Sequence, residues 1–138
     1  MKSINQQKLF RIIDANFNRA KEGLRVCEDV CRFVVNDRTK TRQLKKLRHD
    51  LTAAVNALSL QSLIQSRDIE RDVGKKSVSL ESKRDNINDI LYANSQRVKE
   101  SLRVLEEFSK LLDSRLALEL KKIRYRMYAL EKELVEKS

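Results

Sequence analysis

The chain has 138 residues, 36% charged and 41% apolar, with no proline, two glycines and a formal net charge of +10. That length supports one core and not two, and leucine, isoleucine and valine recurring at helical spacing exclude disorder. The charge suits nucleic acid, an anionic membrane or a phosphorylated small molecule, or helix faces that are merely solvated; with aromatics at 5% and no basic–aromatic run for base stacking, nucleic acid is the alternative and not the lead.

Without proline, long helices can run unbroken, and the expected fold is all-α. The first helix starts near Ser3 and runs to about Val35, where Asn36-Asp37 marks a turn. Its Cys27 and Cys31 lie one turn apart on the apolar face, and with His49 the only histidine they read as core and not as a zinc site. Thr39 or Thr41 caps a second helix over about 42–64, striped by Leu44, Leu47, Leu51, Val55 and Leu58. Residues 65–83 break the periodicity and contain Gly74. Helical spacing resumes near Arg84 and lasts to about Leu112; Asp113 or Ser114 then caps a last helix reaching close to the C-terminus. No apolar run approaches a signal segment or a membrane span, so a cytoplasmic protein without membrane contact is expected.

The first and third helices are close to being one helix written twice. Residues 15–32, ANFNRAKEGLRVCEDVCR, and 93–110, ANSQRVKESLRVLEEFSK, agree at 9 of 18 positions. LKKLRHDL at 44–51 likewise resembles LKKIRYRM at 120–127. The offset is 78 residues in the first pair and 76 in the second. The repeating unit is therefore a helical hairpin, with the second turn two residues shorter. The expected architecture is one domain, 1–138, built as a bundle of two pseudo-symmetric hairpins with four main helices. The repeats cover about 3–64 and 84–138, joined by a polar loop over about 65–83, long enough to suggest a function.

Amphipathic helices share apolar spacing, but seldom the same asparagine, arginine and glutamate at the same phase. At about 100° per residue, Asn16 falls in one column with Ala20, Gly23, Cys27, Val30 and Val34, and Asn94 with Val98, Ser101, Leu105, Phe108 and Leu112. Both amides should face the interior and need hydrogen-bond partners. Arg19 and Arg97 lie at the stripe's margin, and Glu22 and Glu100 one turn further round. Arg48 and Arg124 share the inward faces of helices two and four. Inward guanidinium groups require carboxylates or phosphate. The structural reading is that Glu22, Glu100, Glu28 and Glu106 neutralise these arginines; the functional one is a phosphate-bearing ligand held by the arginines. Arg25 and Arg103 recur opposite the stripe centre, where an oligomer contact or the wall of a cleft would account for them.

In the loop RDIERDVGKK (67–76), Asp68 and Asp72 could hold Mg²⁺ through oxygens while Gly74 and the lysines approach a phosphate tail. The same residues are also ordinary turn formers. There is no G-x-x-x-x-G-K-[ST], and two glycines cannot furnish a dinucleotide fingerprint.

Taken together, Asp14-Ala15-Asn16-x-Asn18-Arg19-Ala20-x-Glu22-Gly23-Leu24-Arg25-Val26-x-Glu28-Asp29, Arg67-Asp68, Asp72-Val73-Gly74, Ala93-Asn94-x-x-Arg97-x-x-Glu100-x-Leu102-Arg103-Val104-Leu105-Glu106-Glu107 and Ile123-Arg124-Tyr125 resemble a small bacterial family. These are the monofunctional hydroxymethylpyrimidine phosphate kinases of thiamine biosynthesis, which occur alone or fused to thiamine phosphate synthase; this chain resembles the standalone form. The resemblance implies ATP-dependent phosphorylation of 4-amino-5-hydroxymethyl-2-methylpyrimidine phosphate to the diphosphate, with Mg²⁺. In that reading Arg19, Arg97, Arg48 and Arg124 hold phosphates, and Asn16 and Asn94 contact the pyrimidine or a phosphate oxygen. Glu22 and Glu100 bind Mg²⁺ or the ring amine, Asp68 and Asp72 serve the metal and the nucleotide catalytically, and Gly74 approaches phosphate. The partners are then the phosphorylated pyrimidine and ATP, with room for a homo-oligomer. The alternative is a non-catalytic basic helical module that binds a partner protein or nucleic acid.

Overall fold

The computed structural model describes residues 4–76 and 83–136, and every regular element among them is helical. Helix α1, Gln6–Asp29, continues through a wider π-turn, Val30–Val35. Helices α2, Arg38–Val55, α3, Leu60–Ser66, α4, Ile87–Ser109, and α5, Ser114–Glu136, follow.

Short polar side chains start each helix by accepting an otherwise unpaired backbone N–H. Asn5 accepts from Lys8 at 2.8 Å, Asp37 from Lys40 at 3.0 Å, Ser59 from Ser62 at 3.2 Å, and Asn86 from Asp89 at 3.0 Å. Asp113 accepts from Arg115 at 2.9 Å at the head of α5. The start expected at Ser3 lies outside the described residues. The second helix begins at Asp37 and not at Thr39 or Thr41, because an aspartate was available one turn earlier.

The helix expected over 42–64 is two helices. Ala57 and Leu58 donate back to Ala54 and Val55, three residues away, at 3.3 and 2.9 Å. That tightening closes α2, and Ser59 starts α3. The loop expected over 65–83 therefore begins at Arg67; its residues 77–82 lie outside the described residues.

Helices α1, α2, α5 and α4 form a ring, each packed on its two neighbours, with α3 laid against α1. Their apolar stripes meet in one core, where Ile13, Leu24, Leu44, Leu51, Leu102 and Leu120 are almost wholly buried. Cys27 and Cys31 belong to it, as expected. Burial drives the Cys27 thiol up to about 12 from an ordinary 9.0, helped by the nearby Cys31 and Glu131, and it raises Cys31 as well.

Helices α1 and α4 run antiparallel. Cys27 Sγ lies 3.9 Å from the Leu91 carbonyl, and Gly23 faces Asn94 and Val98. This register sets Ala20 opposite Val98, both fully buried. Those two residues are also equivalent under the 78-residue offset, so the pseudo-two-fold axis crosses the seam at that point. The seam is close because Gly23 lacks a side chain: a Cβ there would stand 2.7 Å from Val98 Cγ2 and 3.0 Å from the Asn94 carbonyl oxygen.

The two extra residues of the first hairpin are absorbed where its helix leaves α geometry. The π-turn ends at Asn36 in the left-handed conformation, φ 59°, and its N–H returns to the Cys31 carbonyl. A π-turn advances less than 100° per residue, so Val34 leaves the Asn16 column. It is exposed, with Phe33 and Val35.

Candidate active site at the helix seam

The asparagines sit where the phase placed them. Asn16 is 4% exposed and Asn94 half-buried, each at the α1–α4 seam. Each donates its amide to the carbonyl four residues earlier, Asn16 to Ile12 at 2.9 Å and Asn94 to Ile90 at 2.8 Å. One amide N–H of each is thus bonded within its own helix, and the amide oxygens are left for other partners. Arg19 Nη1 takes that of Asn16 at 3.3 Å; that of Asn94 accepts no hydrogen bond among the described residues.

Arg19, Arg97, Glu22 and Glu100 are exposed. At 100° per residue they fan outward from the seam, arginine at its lip and glutamate on the outer surface. Arg19 precedes Ala20 by one residue and Arg97 precedes Val98 by one, so the axis carries one onto the other. Along the antiparallel helices they are offset by about 3 Å, so both guanidinium groups can reach a ligand lying across the axis. The Arg97 and Glu100 side chains make no ion pair or hydrogen bond among the described residues.

Arg48 and Arg124 are elsewhere. Each is held between the helices of its own hairpin by a buried glutamate, and each glutamate is also held by a second arginine. Glu28 accepts from Arg48 Nε at 3.2 Å and from Arg25 Nη1 at 3.4 Å. Glu106 accepts from Arg124 Nη2 at 3.1 and 3.3 Å and from Arg103 Nη1 at 3.1 Å. The recurrence of Arg25 and Arg103 thus has a structural cause: each closes a buried Arg–Glu–Arg clamp from the outside. Glu28 and Glu106 do the neutralising of the structural reading, whereas Glu22 and Glu100 take no part in the clamps. Burial works against the Arg124 charge, but hydrogen bonds to Tyr128 and Glu106 outweigh it and hold its pKa above the ordinary value.

The loop residues lie on the other flank of α1. Arg67 forms a bidentate pair with the buried Asp14 at 2.8 and 2.8 Å, and Arg11 donates to the Asp68 carbonyl at 3.4 Å. Asn18 completes the anchor by donating to the Asp14 carboxylate at 3.2 Å. The hydrogen bonds and charge of Asp14 hold the Arg67 pKa above its ordinary value, with a smaller push from Glu22. Glu22 thus stands between the seam lip and the loop. Asp68 accepts from the Arg71 N–H at 3.1 Å and Asp72 from the Gly74 N–H at 2.9 Å, both as turn formers. The structure brings Asn16, Arg19, Asn94 and Arg97 to one seam, while Asp68, Asp72 and Gly74 lie in the loop tied to the other flank of α1. Asp14 appeared in the motif without a role; a carboxylate in an apolar flank with an arginine downstream was the available signal.

Among the described residues, no group of three or more His, Cys, Asp or Glu side chains is gathered for a metal. A Mg²⁺ arriving on a nucleotide needs only one or two carboxylates, which exposed Glu22 and Glu100 can offer. No helix among the described residues is long and apolar enough to cross a membrane.

Residues 11–133 match the model of the ThiD2 family. The chain is 40% identical over 135 residues to a thiamine-phosphate synthase of Rhodopirellula baltica, covering 97% of this chain and 36% of that protein. It is 42% identical over 129 residues to one of Thermosynechococcus vestitus, and 40% over 131 residues to one of Nostoc punctiforme; these cover 93% and 94% of this chain and 36% of each relative. The chain thus spans little more than a third of the curated relatives it matches. No solved structure matches it.

Proposed function

The chain belongs to the ThiD2 family, and from that premise we propose that it acts in thiamine biosynthesis as the kinase that phosphorylates 4-amino-5-hydroxymethyl-2-methylpyrimidine phosphate to the diphosphate, using ATP. The relatives' name describes proteins of which nearly two thirds lies outside the match, which leaves the matched third free to carry an activity of its own.

The observation that carries the proposal is the pair of exposed arginines, Arg19 and Arg97, placed about a two-fold axis with a seam asparagine beside each. A phosphoryl transfer brings two anions together: the monophosphate of the acceptor and the triphosphate of the donor. An acceptor phosphate oxygen forms the new P–O bond to the γ-phosphorus as the bond to the β-phosphate oxygen breaks, and ADP leaves. The protein's part is positioning and charge neutralisation, with no covalent intermediate. Two guanidinium groups approaching from opposite helices serve both needs. Asn94, with its amide oxygen open, orients the acceptor, buried Asn16 positions Arg19, and Glu22 and Glu100 hold the ring amine or the Mg²⁺ that enters with ATP. Asp68, Asp72 and Gly74, in the anchored loop, serve the nucleotide. Arg48 and Arg124 support this site from behind, through the clamps that hold each hairpin closed.

The test is to incubate the protein with Mg²⁺-ATP and the pyrimidine monophosphate and to follow diphosphate by phosphorus NMR. Product formation is expected, and Arg19→Ala and Arg97→Ala should each lower kcat/KM by about a hundredfold, the scale of one lost transition-state contact, with little change in melting temperature. A folded protein giving no product above the no-enzyme control would end the kinase reading.

A further inference from the structure

The structure also has two clefts related by the internal two-fold, one at each hairpin turn. The first, about 520 Å³, lies between the π-turn and the head of α2 and is lined by Arg32, Arg38, Arg42 and Lys45 with Asp37 and Thr41. The second, about 280 Å³, is lined by Lys110, Ser114, Leu118 and Lys121 with Arg103 and Glu106. By the 78- and 76-residue offsets, Arg32 corresponds to Lys110, Arg38 to Ser114, Arg42 to Leu118 and Lys45 to Lys121. The outer cations are common to both copies. The first cleft alone adds two arginines between them.

These cations are not spoken for. Arg38, Arg42 and Lys45 make no ion pair or hydrogen bond among the described residues, and Arg32 only stacks on Phe33, 4.7 Å from its ring centre. Elsewhere the chain gives its inward arginines carboxylates, as Glu28 and Glu106 show. Here the nearby carboxylate, Asp37, accepts the Lys40 N–H as the cap of α2, so the helix end is already occupied. Four exposed cations around one concavity, with Asp37 the one carboxylate lining it, create a positive potential there that a bound anion would lower.

We propose that this cleft binds a soluble polyphosphate, an anion whose adjacent phosphates match several guanidinium forks at once. It is a second site. Arg32 lies 13 positions beyond Arg19, about 20 Å along the helix, too far to take part in chemistry at the seam. The proposal does not depend on the kinase reading.

The test is calorimetric titration of the whole chain with inorganic tripolyphosphate at about 0.15 M ionic strength, where loose surface attraction is screened. The variant Arg38→Ser/Arg42→Leu gives the first cleft the side chains that the second copy already carries, and its melting temperature checks the fold. It should bind tripolyphosphate about tenfold more weakly or worse, the scale of losing at least one charge-assisted contact. Arg19→Ala/Arg97→Ala, which removes any phosphate held at the seam, should keep the tripolyphosphate binding that belongs to the cleft, and the competition is read in that background. ATP competing better than tripolyphosphate would identify the ligand as a nucleotide, and equal competition a bare polyphosphate; both support the site. Unchanged binding by the cleft variant would overturn the proposal, as would orthophosphate competing equally well. So would a loss seen only for a single-stranded oligonucleotide.

Discussion

Replacing Glu106 by glutamine keeps the shape of the side chain and removes its charge from between Arg103 and Arg124. Arg103 is 59% exposed and turns to water. Arg124 cannot, because its side chain is 8% exposed and its Nε already has no hydrogen-bond partner among the described residues. The new amide would keep one oxygen to accept from Arg124 but point an NH₂ group at guanidinium donors, so Arg124 loses its counter-charge and one of its two contacts to residue 106. Breaking a buried pair from one side costs about 3–5 kcal/mol, a large share of the 5–15 kcal/mol that holds a domain folded. The equivalent Glu28→Gln serves as control. Its Arg48 is 19% exposed and gives a single bond at 3.2 Å, so water can take over part of the contact and the loss should be about 1–3 kcal/mol. Urea unfolding followed by far-UV circular dichroism, with matched slopes, measures both. Glu106→Leu/Arg124→Met should recover most of the loss, since an apolar pair leaves no charge stranded. The reasoning fails if Glu106→Gln unfolds within about 1 kcal/mol of the parent, or if Glu28→Gln costs more.

Gly23→Ala gains about 1 kcal/mol in helix propensity but drives a Cβ into the Asn94 carbonyl oxygen and Val98, a clash worth about 1–3 kcal/mol. The net should be a lower melting temperature, whereas Ser101→Ala at the equivalent position should be nearly neutral. The thiol of Cys27, raised from 9.0 to about 12, keeps its proton in the folded state while the unfolded state loses it. Its contribution is therefore complete below pH 9 and falls between pH 9 and 12, at up to about 1.4 kcal/mol per pH unit. Urea midpoints measured across that range should decline less steeply in Cys27→Val. Removing Arg67 leaves the buried Asp14 carboxylate unpaired, so Arg67→Ala should speed proteolysis within residues 67–76 and lower turnover; a loop cleaved no faster than in the parent would show that the pair does not anchor it.

Much of this was legible in the sequence because duplication supplies its own control. A phase shared by Asn16 and Asn94 separates meaning from mere amphipathicity, and it placed both amides at the seam. The structural half of the arginine reading was also visible in Glu28 and Glu106. What escaped were features that local pattern does not encode. Leu58 continues the spacing of Val55, and no glycine or proline interrupts 56–59, so the end of α2 left no trace beyond Ser59. The π-turn rotates Val34 outward although its position in the α-helical column is correct. Arg25 and Arg103 looked unexplained because a wheel shows where a side chain starts and not how far a long one reaches. Arg38 and Arg42 were passed over because their meaning lies in a comparison with Ser114 and Leu118 across a turn of different length.

The axis through Ala20 and Val98 makes the molecule equivalent to an isologous dimer whose two subunits share one chain. In a true homodimer every substitution is made twice, and both halves of the interface must tolerate it. Joining the copies lifts that constraint while holding them at the high effective concentration of a tether. One copy can then carry glycine at the seam where the other carries serine, and arginines can crowd one cleft while the second holds leucine. A symmetric assembly must offer two like ligands two like sites; a tethered one can receive two unlike ligands on the same scaffold.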